Sequence, residues 1–460
     1  MGKNLLFFMS IIFLGFICVF FVGCKTECEH NYILKSILLE RTDVLNAGLY
    51  ECSVCHNETQ DTIQVSDINI PILSFCGDIS GMSKENKVLV SVAYDDGIKK
   101  IDCGATLKWQ GASSLVYPKK NYTMQLLESG SDKKKKVELN SDWGKQSKYC
   151  LKANYIDYSQ ARNVVSGQIY RDIVHTRDFN EEIESLKNGG VVDGFPVVIF
   201  INSKYQGLYT LNIPKDKWMF GMDDDNEDDD IITKQALLMG DTWTDSTKLK
   251  EEISDDYISS GFELEYCSTE DTIGDDWVVE SFNNMIDFIN TSNGKDFIEG
   301  IENYISLERT IDSMIYTLFI MATDNTSKNI LWVTYDGFHW FSSMYDMDST
   351  WGLSWDGSIG TSAETTWLGY LTGNNLWKKI FENFSEKVIE RYFQLRETIL
   401  LEENLINKFT QFDNKIPGII REAEKEKWYE VPSIETNNLE QIIDFIYKRC
   451  ETLDELMLVI

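Results

Sequence analysis

The chain has 460 residues, enough for two or three domains, and its 43% apolar and 12% aromatic content suits a packed core rather than a disordered chain. A formal net charge of −31 disfavours nucleic acid as a partner, since phosphate binding needs clustered Lys and Arg, and disfavours electrostatic attachment to anionic lipid. With four histidines and no G-x-S-x-G, no Ser-His-Asp set presents itself, which argues against a hydrolase.

Residues 1–23 read as a targeting segment. Lys3 supplies a positive flank, and the uncharged apolar run Leu5–Gly23 ends directly before Cys24. The pattern resembles a bacterial lipoprotein signal, in which cleavage before Cys24 leaves that cysteine to carry the lipid. The alternative is a plain transmembrane anchor, for which the run is just long enough. Either way the mature protein is expected on the extracytoplasmic face of the cell membrane.

A small module follows, residues 24–66. It pairs Cys28 and His30 with Cys52 and Cys55 across a short hairpin, a ligand set that suits a tetrahedral structural zinc ion. A piece this short buries too little core to fold alone, so a metal would explain its stability. It resembles the zinc-ribbon-like repeats of bacterial surface proteins. The competing reading is a Cys52–Cys55 disulfide with His30 on the surface and His56 solvated. Cys76, Cys103, Cys150, Cys267 and Cys450 are an odd, scattered remainder, which excludes a complete disulfide framework.

From residue 67 the chain is β-rich. Val88–Val92, Ala105–Trp109 and Tyr122–Leu127 read as strands by alternation and by β-branched and aromatic content. Between the last two lies a loop, Gln110–Lys120, in which Gly111, Ser113 and Ser114 would let backbone approach a phosphate. Lys119 and Lys120 enter the next strand and could neutralise nucleotide phosphates. Ser159 would cap a helix running to about His175, with Ala161, Val164, Val165, Ile169 and Ile173 on one face. Arg162 in its first turn calls for either a specific carboxylate partner or a surface salt bridge. Val191–Ile201 and Gly207–Leu211 form a hairpin around Asn202-Ser203-Lys204. The acidic run Asp223–Asp230 reads as a solvated loop rather than a calcium site, and residues 223–276 as a polar insertion or irregular excursion.

Two helices follow, Asp276–Thr291 and Ser306–Thr323, the second buried because it is apolar all round at its centre. It delivers the chain to Asp324. Asn329 lies five residues on, then the strand-like runs Ile330–Tyr335 and His339–Met344 flank an Asp336-Gly337 turn, and Asp346 and Asp348 follow. Phosphoryl-transfer enzymes of the protein-kinase type use this order of parts. Asp324 would accept the acceptor's proton. Asn329 and Asp346 would hold Mg²⁺ or Mn²⁺ against ATP, and Asp348 would bind a second metal or brace the loop. No His precedes Asp324, since Thr323 stands there, no Gly follows Asp346, and G-x-G-x-x-G and V-A-I-K are missing, so this is no ordinary protein kinase. Residues 376–460 are helical, with Leu376, Trp377, Ile380, Phe381, Phe384, Val388, Tyr392 and Leu395 in one stripe.

Four ordered motifs resemble the CotH (spore coat protein H) kinase-like family: Leu107–Lys120, Leu151–Asn163, Val197–Leu211, and Asp324 to Asn329 with Tyr345–Trp351. The resemblance implies an α+β, atypical protein-kinase-like fold, with an antiparallel β-rich N-lobe and a mostly helical C-lobe, over residues 67–375. Residues 376–460 would pack on it. It implies transfer of the γ-phosphate of ATP to Ser or Thr of a coat or surface protein, with Asp324 as the catalytic aspartate, Asp346 as the metal ligand, and Lys119 and Lys120 near the nucleotide. The chain departs at Gln110, where the family has Arg, and at Asn212-Ile213, where it often has Glu, with Glu128 a candidate substitute. The second functional reading is a catalytically weak surface lipoprotein that binds a protein or glycan, with Trp351, Trp355 and Trp367 as exposed candidates.

Overall fold

The computed structural model describes residues 32–36, 44–64, 69–177, 186–222, 233–270, 273–360, 362–366, 373–434 and 438–459. Cys24, Cys28, His30 and Trp367 lie outside the described residues, as does the acidic run Asp223–Asp230. Among the described residues no helix is long and apolar enough to cross a membrane.

Strands β1 (Tyr32–Ser36), β2 (Val44–Cys52) and β3 (Glu58–Gln64) form a three-stranded antiparallel sheet in sequence order. The Cys52–His56 turn closes through His56 N donating to Cys52 O at 2.9 Å.

The next seven strands close into a barrel. They are β4 (Ile72–Cys76), β5 (Val88–Asp95), β6 (Lys100–Gln110), β7 (Asn121–Leu127), β8 (Lys148–Lys152), β9 (Gly194–Ile201) and β10 (Lys204–Asn212). Alternation places Cys103, Ala105 and Leu107 of β6, and Tyr122, Met124 and Leu126 of β7, in the core. The expected antiparallel lobe is corrected at one seam: β4 runs parallel to β9, Ile72–Phe75 against Val198–Ile201. Closure removes both sheet edges, which an open antiparallel sheet would expose.

Helix α1 (Arg162–Val174) sits between β8 and β9 in sequence. Ser159 does not cap it. Asp157 instead accepts Arg162 N through Oδ2 at 3.0 Å, while Ser159 Oγ takes Ala161 N at 3.1 Å. The excursion read over residues 223–276 is also overturned. It contains β11 (Ala236–Gly240) and β12 (Phe262–Cys267), and β11 is an inner strand of a four-stranded sheet, β12-β11-β13-β14, completed by β13 (Ile330–Thr334) and β14 (Phe341–Met344). All five β11 residues are buried, and a run that short among polar neighbours carries little periodicity.

Further α-helices among the described residues are α2 (Asp276–Thr291), α3 (Gly294–Gly300), α4 (Leu307–Phe319), α5 (Asn375–Arg396), α6 (Glu402–Asp413), α7 (Gly418–Lys427) and α8 (Asn438–Val459). Helix α4 is buried along its length and packs on β14, α5 and α1. The expected stripe of α5 is buried at Leu376, Trp377, Ile380, Phe384, Val388, Tyr392 and Leu395. Helix α7 packs on β10, so the C-terminal helices touch the barrel directly.

Candidate functional site

A cleft of about 750 Å³ gathers residues from the barrel and from the helical body. Gly111, Ser113, Ser114 and Lys119 line it from the barrel side, and Asp324, Asn329, Asp346 and Asp348 from the other. Residues that are separate in sequence therefore share one space.

Local geometry explains how Asn329 and Asp346 come together. They flank the β13–β14 hairpin, whose register pairs Ile330 with Met344, so both emerge at the same end. Tyr345 N donates to Asn329 O at 3.1 Å. Asn325 staples the two arms: its Nδ2 donates to Tyr345 O at 2.7 Å and to Asn329 O at 3.2 Å. Asn329 and Asp346 both hold left-handed backbone, φ 58° and 56°. Such conformations are uncommon outside glycine and concentrate at functional sites. Asp324 lies on the single 3₁₀ turn that follows α4.

The Asp346–Trp351 segment is held from behind by the start of α1. Met347 N donates to Asn163 Oδ1 at 3.0 Å, and Arg162 Nε to Thr350 O at 3.1 Å. Arg162 is fully buried and ion-paired with Asp157, so the specific carboxylate partner exists and the surface salt bridge does not. Trp351, expected to be exposed, is fully buried and donates through Nε1 to Ser166 Oγ at 2.8 Å. Trp355 is 71% exposed at the cleft.

The cleft's carboxylates and lysines shift one another's charge. Burial raises the pKa of Asp324, with Lys328 opposing the rise and Asp346 adding to it. Burial and the neighbouring Asp346 push Asp348 far above the usual carboxylate range. Burial also works against ionised Asp346, but Lys152 and, more weakly, Lys215 and Lys328 outweigh it and hold its pKa below the ordinary value. Lys152 Nζ is 3.1 Å from Asp346 Oδ1. Lys215 pairs with Glu265, and with Glu263 at 3.1 Å. Among the described residues no three His, Cys, Asp or Glu side chains converge to hold a metal.

The two lysines expected to face a nucleotide are placed differently. The Lys119 side chain is fully buried, and its Nζ donates to Ala153 O (2.9 Å), Leu208 O (2.5 Å) and Glu424 Oε1 (2.6 Å). An ammonium has three donors, and all three are taken. Lys120 Nζ donates to Leu115 O (2.5 Å) and Tyr117 O (2.6 Å), bracing the loop from within. Glu128, the candidate glutamate, is exposed at the end of β7. Lys152, Lys215, Lys328 and Glu424 were missed as site residues. Lys328 adjoins Asn329 and Lys152 ends a strand inside a quoted motif, so both were visible. Lys215 and Glu424 carry no local signal.

Fold and cleft define a mixed α/β protein with a β-rich N-terminal region, a helical C-terminal region and an acidic, lysine-flanked site between them. The chain belongs to the CotH kinase family: the family model described as CotH kinase protein matches residues 107–453. The match takes in Gly111, Asp324, Asn329 and Asp346 of the cleft and reaches into α8. No curated protein matches the chain.

Proposed function

We propose that the protein is an atypical, metal-dependent protein kinase that transfers the γ-phosphate of ATP to Ser or Thr of a coat or surface protein. The observation carrying this reading is that Asp324, Asn329 and Asp346 line one cleft together with Lys152. Asn329 and Asp346 would hold Mg²⁺ or Mn²⁺, and a bound metal would neutralise phosphate charge and orient the triphosphate. Lys152 keeps Asp346 ionised and oriented. Lys215 and Lys328 add positive charge at the cleft, and the loop at Gly111, Ser113 and Ser114 offers small residues against a phosphate. Asp324 orients the acceptor hydroxyl and takes its proton. Asp348, whose burial beside Asp346 favours the protonated form, would bind a second cation on losing its proton or brace the loop. The test is transfer of labelled γ-phosphate by the purified chain with Mg²⁺ or Mn²⁺, beside Asp324→Ala. Label that is lost in the variant supports the reading, whereas no label from a folded chain overturns it.

A second reading, a binding lipoprotein on the same scaffold for a protein or glycan, is favoured by the exposure of Trp355 and Trp243 at the cleft. Direct titration with Mg–ATP separates the two, because the second reading needs no nucleotide.

Lipid attachment at Cys24 and an extracytoplasmic, membrane-bound location complete the proposal, supported by the apolar run before that cysteine. Zinc held by Cys28, His30, Cys52 and Cys55 is supported by the tight turn that carries Cys52 and Cys55, with His56 at φ 59°. Metal analysis of the purified chain, beside Cys52→Ser, tests it.

A further inference from the structure

We infer that Glu424 is a positioning residue for the cleft: through Lys119 it fixes the glycine–serine loop and the end of β8, and the Lys119 ammonium serves this strut instead of a ligand. The inference rests on the phosphoryl-transfer reading for its consequence, though not for its geometry.

The pair joins distant parts of the chain. Glu424 lies on α7, 305 residues from Lys119, and the two side chains are 1% and 0% exposed. Glu424 is also fully engaged on its other oxygen, which accepts Leu208 N at 2.7 Å and Tyr205 OH at 3.2 Å. The Lys119 ammonium lies 4.5 Å from the centre of the Tyr209 ring. The barrel wall is shaped to admit the pair. The β9–β10 register shifts between Tyr205 and Gly207, and Gly207 has φ +140°. A Cβ there would come within 2.8 Å of Trp428 Nε1, 3.0 Å of Glu424 Oε2 and 3.0 Å of Lys119 Cε. The bulge and the glycine thus open the strand where α7 delivers its carboxylate.

The consequence reaches the cleft by two short routes. Lys119 lies at the C-terminal end of the loop that carries Gly111, Ser113 and Ser114, which Lys120 braces internally. Lys119 also binds Ala153 O, and Ala153 N donates to Asn121 Oδ1 at 2.7 Å. Ala153 adjoins Lys152, the partner of Asp346. A buried ion pair is a poor source of stability, because desolvation offsets its Coulomb attraction, and an apolar pair of similar volume often packs as well. Its use here is geometric: it specifies where the loop and the Lys152 backbone sit relative to α7.

The test compares the full chain with Lys119→Met, Glu424→Gln and the Lys119→Met/Glu424→Leu double variant, the last keeping the burial without any charge. Amide hydrogen exchange reads the strut with no need of activity. Exchange at 111–121 and 152–154 should quicken in the double variant while α5 stays as in the parent, and unchanged exchange there overturns the inference. Mg–ATP affinity and kcat read the consequence. Residues acting as one unit are non-additive, so the double variant should fall within about threefold of the worse single variant. If Lys119→Met weakens nucleotide binding by about tenfold or more with Glu424 intact and again with it replaced, Lys119 is a direct ligand and the inference fails. If affinity and kcat stay at parental values in all three, the pair does not position the cleft. A parent that binds no Mg–ATP overturns the phosphoryl-transfer reading instead, and the exchange result still decides the strut.

Discussion

Lys152 Nζ lies 3.1 Å from Asp346 Oδ1, and this contact joins the end of barrel strand β8 to the loop that follows β14. Asp346 thereby stays ionised in a partly buried site, which burial alone would oppose. The contact also fixes the two sides of the cleft at a set separation. Lys152 is expected to matter for metal–nucleotide binding as well as for charge. Lys152→Ala should weaken Mg–ATP binding by about tenfold or more, a loss of about 1.4 kcal/mol, measured by direct titration.

Asp324→Asn keeps the shape of the side chain and removes its capacity to take a proton. Phosphate transfer should fall by about a hundredfold or more, while Mg–ATP affinity stays near that of the parent. Steady-state kinetics beside nucleotide titration checks the split. Equal losses in binding and turnover would place Asp324 among the ligands of the metal–nucleotide complex.

The pH dependence follows from Asp324 and Lys328. Burial raises the pKa of Asp324, so its proton-accepting form is lost as pH falls through that raised value. Lys328 counteracts the rise, and it also lowers the pKa of Asp346. Removing this cation therefore raises both values. In Lys328→Ala the acid limb of the transfer rate should move to higher pH, seen in a full rate–pH profile.

Asp312 tests the architecture apart from any chemistry. It is 2% exposed and receives Arg391 Nε at 2.7 Å and Arg177 Nη2 at 2.9 Å, tying α4 to α5 and to the segment after α1. Asp312→Ala would leave two cations in a buried site without this carboxylate. The expected loss is about 3–5 kcal/mol of stability, measured by denaturant unfolding.

Gly240 ends β11 where the chain passes close to the turn after Asp324. An added Cβ would lie 2.3 Å from Ser327 O, and Gly240 O accepts Asn329 N at 2.7 Å. Gly240→Ala should cost about 1–3 kcal/mol, because the obstacle is backbone that cannot rotate away. Since that backbone carries Asn329, metal–nucleotide binding should weaken along with thermal stability.

Much of this architecture is legible locally. Strand alternation in β6 and β7, the apolar stripe of α5 and the spacing of Asp324, Asn329 and Asp346 follow from side-chain periodicity and turn chemistry, which neighbouring residues determine by themselves. The hairpin between Asn329 and Asp346 follows too, from two apolar runs around Asp336-Gly337, although its strands are shorter than the runs suggested. Other features needed the assembled chain. The parallel β4–β9 seam and the inner position of β11 depend on partners far away in sequence, and a five-residue run does not announce which sheet will bury it. Two adjacent lysines after a glycine–serine loop look alike in sequence. Only the fold directs Lys119 inward to Glu424 and Lys120 back to its own loop, and assigns the pairing with Asp346 to Lys152. Local sequence determines which groups the chain carries and how its elements present them. Which carboxylate meets which cation is decided by long-range packing, because burial makes each unpaired charge costly and leaves few arrangements that satisfy them all.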